Sequence, residues 1–249
     1  MNNRNNNIVV FFNVSLIMRP VTTLFLSAVL VVFNITPVYA AAHTEQTPGE
    51  DWFNENSELS TKDINEGKLT FIAPITDKSV LHSAAVLSIT EDSLETGWVG
   101  LEQCYRNLDP VAKTDVVYDY KNIKQLTIIS SGNIGNAKVD GQTIQLEDVS
   151  ASAFICVQAE VQILEKIAQE AFVLTNGPYY RRFLDGYYPY HVTVSIRYPA
   201  NKLKHNDISP APQPRFNVLQ LPGELRVDTW FEGILLLDIK FSKADILKG

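Results

Sequence analysis

The densest group of chemically capable side chains lies between Asn176 and His191. Fifteen consecutive positions there hold five tyrosines, a phenylalanine and the pair Arg181-Arg182. A guanidinium fork holds carboxylate or phosphate through two parallel hydrogen bonds. Tyrosine offers a flat apolar face with a polar tip, suited to a sugar ring, a peptide or a protein surface. Asn176-Gly177-Pro178 and Asp185-Gly186 are turn signals on either side of Tyr179–Leu184. Alternation between them sends Tyr179, Arg181 and Phe183 one way, and Tyr180, Arg182 and Leu184 the other. The expected binding residues are Tyr179, Arg181, Arg182, Tyr187, Tyr188 and His191. The competing structural reading makes the same stretch a half-wet sheet edge, with arginines stacked on tyrosines.

Other chemistry is sparse. No Gly-x-Ser-x-Gly nucleophile elbow is present. Ser130–Gly135 (SSGNIG) lacks the lysine of a phosphate loop and the spacing of a dinucleotide fold, and reads as a loop between strands. The four histidines, His43, His82, His191 and His205, form no His-x-His or His-Glu-x-x-His pair. Carboxylates such as Asp185 with Asp228 or Glu232 could flank a glycosidic bond, but any acidic protein offers such pairs. Asp119, Asp140 and Asp185 read as turn or strand-end residues. No catalytic residue, metal ligand or cofactor is expected on these grounds.

The two cysteines, Cys104 and Cys156, are expected to form a disulfide if the chain is exported. The bridge would close a loop of about fifty residues, worth roughly 4 kcal/mol at most by chain entropy.

The elements that must position these groups have a period of two. Segments 68–73, 80–89, 97–105, 115–120, 124–131 and 191–198 alternate apolar and polar residues or are rich in β-branched and aromatic ones. Asp140-Gly141, between two alternating arms, predicts a type I′ hairpin. Glu232-Gly233 predicts a closing hairpin between 224–231 and 234–241. Ile155, Val157, Ala159, Val161 and Ile163 share one strand face, with Cys156 on the other. Residues 160–172 also fit a helix through Leu164, Ile167 and Ala171. Pro210, Pro212 and Pro214 fix an extended connector. The pattern implies an all-β fold, a sandwich or open barrel of roughly ten short strands. An α+β fold with one helix near 160–172 is the alternative.

The first forty residues contain no Asp or Glu and only Arg4 and Arg19 as charges. An apolar run at 21–33 leads to TPVYAAAH, with Val38 and Ala40 where signal peptidase favours small residues. Residues 1–40 therefore read as a signal peptide, with Met18 as an alternative start. Retained, the same segment is long enough to anchor the chain in a bilayer. Residues 41–67 read as a flexible acidic lead-in with Trp52 and Phe53 as a docking point. Residues 68–249 read as a single β-rich domain. Losing Arg4 and Arg19 with the leader takes the net charge from −7 to −9. Such a surface repels phosphate backbones, so nucleic acid is not an expected partner, and a membrane is one only through an uncleaved leader. The composite expectation is a periplasmic or extracellular, non-enzymatic protein that binds a protein or an envelope glycan. A secreted hydrolase using carboxylates from separated strands is the alternative.

Overall fold

The computed structural model describes residues 7–11, 65–183 and 186–244. The expected docking pair Trp52-Phe53, the apolar run at 21–33, Leu184 and Asp185 lie outside these residues.

Among the described residues the chain is all-β. Its one helix is a single turn, α1 (Ser93–Thr96). The strands are β1 (Asn7–Phe11), β2 (Thr70–Phe71), β3 (His82–Ser88), β4 (Trp98–Leu108), β5 (Val111–Asp119), β6 (Ile123–Asp140), β7 (Thr143–Gln162) and β8 (Leu164–Ala168). They continue as β9 (Ala171–Tyr179), β10 (Arg182–Phe183), β11 (Gly186–Tyr187), β12 (Tyr190–Arg197), β13 (Leu203–Ser209), β14 (Phe216–Leu221), β15 (Glu224–Glu232) and β16 (Leu235–Lys243). The larger sheet has ten strands, in the order β1-β5-β7-β4-β3-β12-β15-β14, with β6 on β7 and β2 on β15. A four-stranded sheet runs β13-β16-β9-β8, and β10-β11 form a small ribbon. The two main sheets pack as an open sandwich rather than a closed barrel. Segment Asn7–Phe11, which falls inside the expected leader, pairs antiparallel with Asp115–Asp119.

Period-two alternation builds the core. Val192, Val194 and Ile196 of β12 are buried, as are Ala85 and Leu87 of β3, Val99 and Leu101 of β4, and Leu225 and Val227 of β15. They meet Phe172, Leu174, Leu237, Ile239 and Phe241 of the smaller sheet in one cluster. Each fully buried Val, Leu, Ile or Phe contributes about 1.5–3 kcal/mol of transfer free energy. Polar groups join this core in a tyrosine cluster. The Tyr120 hydroxyl donates to Asn176 Oδ1 at 3.2 Å, and Asn176 Nδ2 donates to the Tyr179 hydroxyl at 2.5 Å.

Several local expectations are corrected. No helix occupies 160–172: β7 runs to Gln162 in the large sheet and β8 starts at Leu164 in the small one. The chain changes sheets there, and the amides of Ile163 and Leu164 both donate to the Gly97 carbonyl. Both neighbours are consequently buried, which breaks the alternation and imitates a helical pattern. Glu232-Gly233 is likewise a sheet-to-sheet crossing, because β15 and β16 belong to different sheets. Gly233 has φ +89°, and a Cβ there would lie 2.2 Å from the Lys68 carbonyl oxygen, so only glycine lets the two backbones pass. The hairpin at Asp140 is present, but its central residues are Gly141 and Gln142, with Asp140 paired to Thr143. Only Gly141 has positive φ, the pattern of a II′ turn rather than I′. Ser130–Gly135 is strand, not loop. Gly132 lies under the Phe154 ring, whose Cε1 would be 2.3 Å from a Cβ at that position. His205, expected from its polar neighbours to lie in a loop, sits in β13, edge-on to Phe241.

β6 and β7 are long because they bend. Register shifts fall at Lys124/Thr127, Ile128/Ser130 and Gly132/Ile134 of β6, and a fourth at Arg106/Leu108 of β4. Three of the four contain a residue in the left-handed region, Gln125, Asn133 and Asn107; Ile128/Ser130 does not. Bulges of this kind bend a strand and increase its twist.

Candidate ligand-binding face

The smaller sheet covers one face of the large sheet. The other face carries the alternate residues of the same strands, and these are where polar and aromatic chemistry collects. Strand β4 buries Val99, Leu101, Gln103 and Tyr105 and turns Trp98, Gly100, Glu102, Cys104 and Arg106 outward. Its neighbours follow the same rule, so outward residues line up in rows across the strands.

One row reads Arg106, His82, His191, Trp230 across β4, β3, β12 and β15. The His82 and His191 rings stack at 4.0 Å with 13° between planes, and His191 stacks on Trp230 at 4.4 Å and 11°. His191 Nε2 shares a 2.9 Å hydrogen bond with Asp228 Oδ1, and His82 Nε2 shares one of 3.1 Å with Thr193 Oγ1. Burial lowers the His82 pKa to about 4, helped by the adjacent His191 and Arg106 and opposed by Asp228. His82 is therefore a neutral ring at physiological pH.

The next row contains Cys156, Cys104, Ala84, Thr193 and Asp228. Cys104 and Cys156 stand directly opposite each other on β4 and β7 and form the disulfide. This bond hints at an oxidising, extracytoplasmic compartment. It lies on the outward face, not in the core between the sheets. Cys104 lines a cavity of about 370 Å³ with Ala84, Val86, Thr193, Asp228 and Ile129.

Towards the far end of β4 a larger cavity of about 870 Å³ is lined by Trp98, Gly100, Glu102, Lys124, Gln158 and Glu160, among others. The Lys124 ammonium lies 4.3 Å from the Trp98 ring centroid and 2.8 Å from Glu160 Oε2. Glu102 lines both cavities, which lie along the same outward face. From Trp98 to Arg106 the strand spans eight residues, about 26 Å. At the β15 side, Glu224 accepts from Arg226 at 2.8 Å and from Ser195 at 2.5 Å. Arg226, then Ser195, hold its carboxyl below the usual carboxylate range.

The residues expected to bind are distributed differently. Tyr179 is 1% exposed, a core residue packed with Asn176. Arg181 gives both sides of its fork to Asp109, at 3.1 and 2.7 Å, and stacks over Phe183 and Tyr188. Arg182 is exposed and lies over the half-buried Tyr187 ring, which meets Tyr180 edge-on. Tyr188 meets Phe183 edge-on at 5.0 Å. The cluster thus satisfies much of its own polar and aromatic capacity. His191 alone of the six belongs to the row of stacked rings. Of the carboxylates weighed for hydrolysis, Asp228 is hydrogen-bonded to His191, and Asp185 is outside the described residues. Trp98, Glu102, Lys124, Glu160 and Trp230 are not singled out by the sequence, and His82 is weighed there only as a metal ligand. Their signal was their outward phase, but which strands are neighbours was not readable.

Among the described residues no three or more His, Cys, Asp or Glu side chains gather as a metal site, and no helix is long and apolar enough to cross a membrane. No protein-family model matches the chain, and no curated protein resembles it significantly.

Proposed function

We propose that this is an exported, non-enzymatic binding protein of the periplasm or extracellular space, and that the open face of its large sheet binds a glycan chain. The observation that carries the reading is the trough-like pair of cavities that share Glu102 on this face, with the Trp98 indole lining one and Asp228, hydrogen-bonded to the stacked His191, lining the other. Sugar rings pack their apolar faces on aromatic side chains and give their hydroxyls to planar polar groups. Trp98 supplies the first, and Glu102, Gln158 and Glu160 supply the second. A protein partner is favoured less, because no large exposed apolar patch marks this face among the described residues. Of the large apolar side chains exposed among the described residues, only Ile129 and Leu219 belong to β6 and β14 of this sheet.

The test is binding of the purified protein to an oligosaccharide array, followed by calorimetry with the best binders. Trp98→Ala is expected to weaken binding at least about tenfold while leaving the unfolding midpoint nearly unchanged. Retained affinity in that variant would move the site elsewhere. Glu102 and Glu160 occupy diagonal positions on β4 and β7 and line the same cavity. Release of reducing ends in the same samples would therefore replace binding by hydrolysis as the function.

A further inference from the structure

The charge of the trough selects among glycans. Resting on the open-face reading above, we infer that the ligand is a glycan bearing free amino groups, a cationic amino-sugar chain. Four carboxylates line the two cavities, Asp92, Glu102, Glu160 and Asp228, against two cations, Lys124 and Arg226. Both cations are already matched: Lys124 pairs with Glu160 at 2.8 Å and Arg226 with Glu224 at 2.8 Å. Among the described residues no ion pair reaches Asp92 or Glu102. The residual field is negative, and it repels uronic, sulfated or phosphorylated chains.

The protein itself shows how this groove holds an ammonium group. Lys124 Nζ lies over the Trp98 indole face, 4.3 Å from its centroid, and 2.8 Å from the Glu160 carboxylate. Cation–π attraction and a charge-assisted hydrogen bond act together there. Glu102 projects into the same cavity two residues along β4 from Gly100, which leaves the floor between Trp98 and Glu102 without a side chain. A sugar ring lying over Gly100 would set a ring substituent beside Glu102. An amino substituent makes an ion pair there; an N-acetyl group or a hydroxyl gives only a neutral contact. One exposed pair is worth up to about fivefold in affinity, and two in a groove more.

Calorimetry of the full chain at pH 6 and low salt, using hexamers of glucosamine, N-acetylglucosamine and glucose, tests this. The glucosamine hexamer is expected to bind at least about fivefold more tightly than the other two. That advantage should shrink in 0.5 M salt and in Glu102→Gln. Asp92→Asn serves as a second variant where Glu102→Gln does not fold. Equal binding of all three hexamers, or preference for a neutral one, overturns the amino-sugar inference and leaves the open-face reading standing. If none of the three binds, the inference falls, and the oligosaccharide array then decides separately whether the open-face reading falls with it.

Discussion

Acid should weaken this fold through His82. In the unfolded chain its imidazole takes a proton near 6.5, whereas in the folded protein it waits until about pH 4. Burial is the main cause; His191 stacked at 4.0 Å and Arg106 add to it, and Asp228 works against it. Between those two pH values the unfolded state binds more protons than the native one. The stability that the neutral ring contributes is therefore complete above pH 6.5 and is lost as the pH falls through 4. Each pH unit of displacement corresponds to about 1.4 kcal/mol, which sets a ceiling of about 3 kcal/mol. The ring is only partly buried, so solvent screening reduces the expected effect to about 1–2 kcal/mol. For a chain of this size that is a change of about 2–8 °C in Tm. His82→Phe keeps a flat ring against His191 and removes the titration. The assay is thermal unfolding from pH 7.5 to 4 for both proteins, because the difference between them cancels the other carboxylates and histidines. The variant should lose less stability on acidification than the parent. Two parallel pH profiles, or an NMR titration placing His82 near 6.5, would refute the reasoning.

Two further predictions concern the disulfide and the buried tyrosines. Replacing both Cys104 and Cys156 with serine removes a cross-link between residues 52 apart; the expected loss is about 2–4 kcal/mol in denaturant unfolding, and an unchanged midpoint would show that strand pairing alone sets the reference state. Burial raises the pKa of Tyr105, Tyr118, Tyr120, Tyr179 and Tyr190 above the normal value of 10.0. Their contribution is complete below pH 10 and disappears as the pH rises. Absorbance at 295 nm should show these five ionising together with loss of the fold, and a single ordinary step near pH 10 would contradict their burial.

The strands were legible because one face of each is buried. In 191–198 the sequence alternation matches the structural alternation residue for residue, from buried Val192 to exposed Arg197. Cys156 was placed correctly by the same logic, opposite Ile155 and Val157. Legibility failed at two of the places where the chain changes sheets. At Ile163-Leu164 two consecutive residues are buried where the chain passes from one sheet to the other, and local periodicity cannot tell that from a turn of helix. At Gly233 the glycine signals a backbone crossing, not a hairpin, and the backbone it crosses is more than 160 residues earlier in the chain. The tyrosine-arginine cluster misled for a related reason. Density of aromatic side chains does not reveal which of them point inward, and Tyr179 does. His191 and His82 meet through a parallel pairing of β12 with β3, a contact that no local pattern encodes.

The placement of the disulfide ties fold to site. A bridge meant only to reinforce the interior would be expected between the sheets, yet Cys104 and Cys156 face outward beside the trough. Strand pairing has a period of two, so a slip of one residue would turn Gln158 and Glu160 of β7 inward and Val157 and Ala159 outward. β7 is exposed to such a slip, since the bulges of β6 and β4 already shift the register on both of its sides. The cross-link forbids it by fixing Cys104 opposite Cys156, which sets Glu102 opposite Gln158 and Gly100 opposite Glu160. Restoring the covalent bond should therefore restore ligand affinity as well as stability. A reduced protein that stays folded but loses affinity would locate the function of the bridge in the alignment of the two strands that carry the trough.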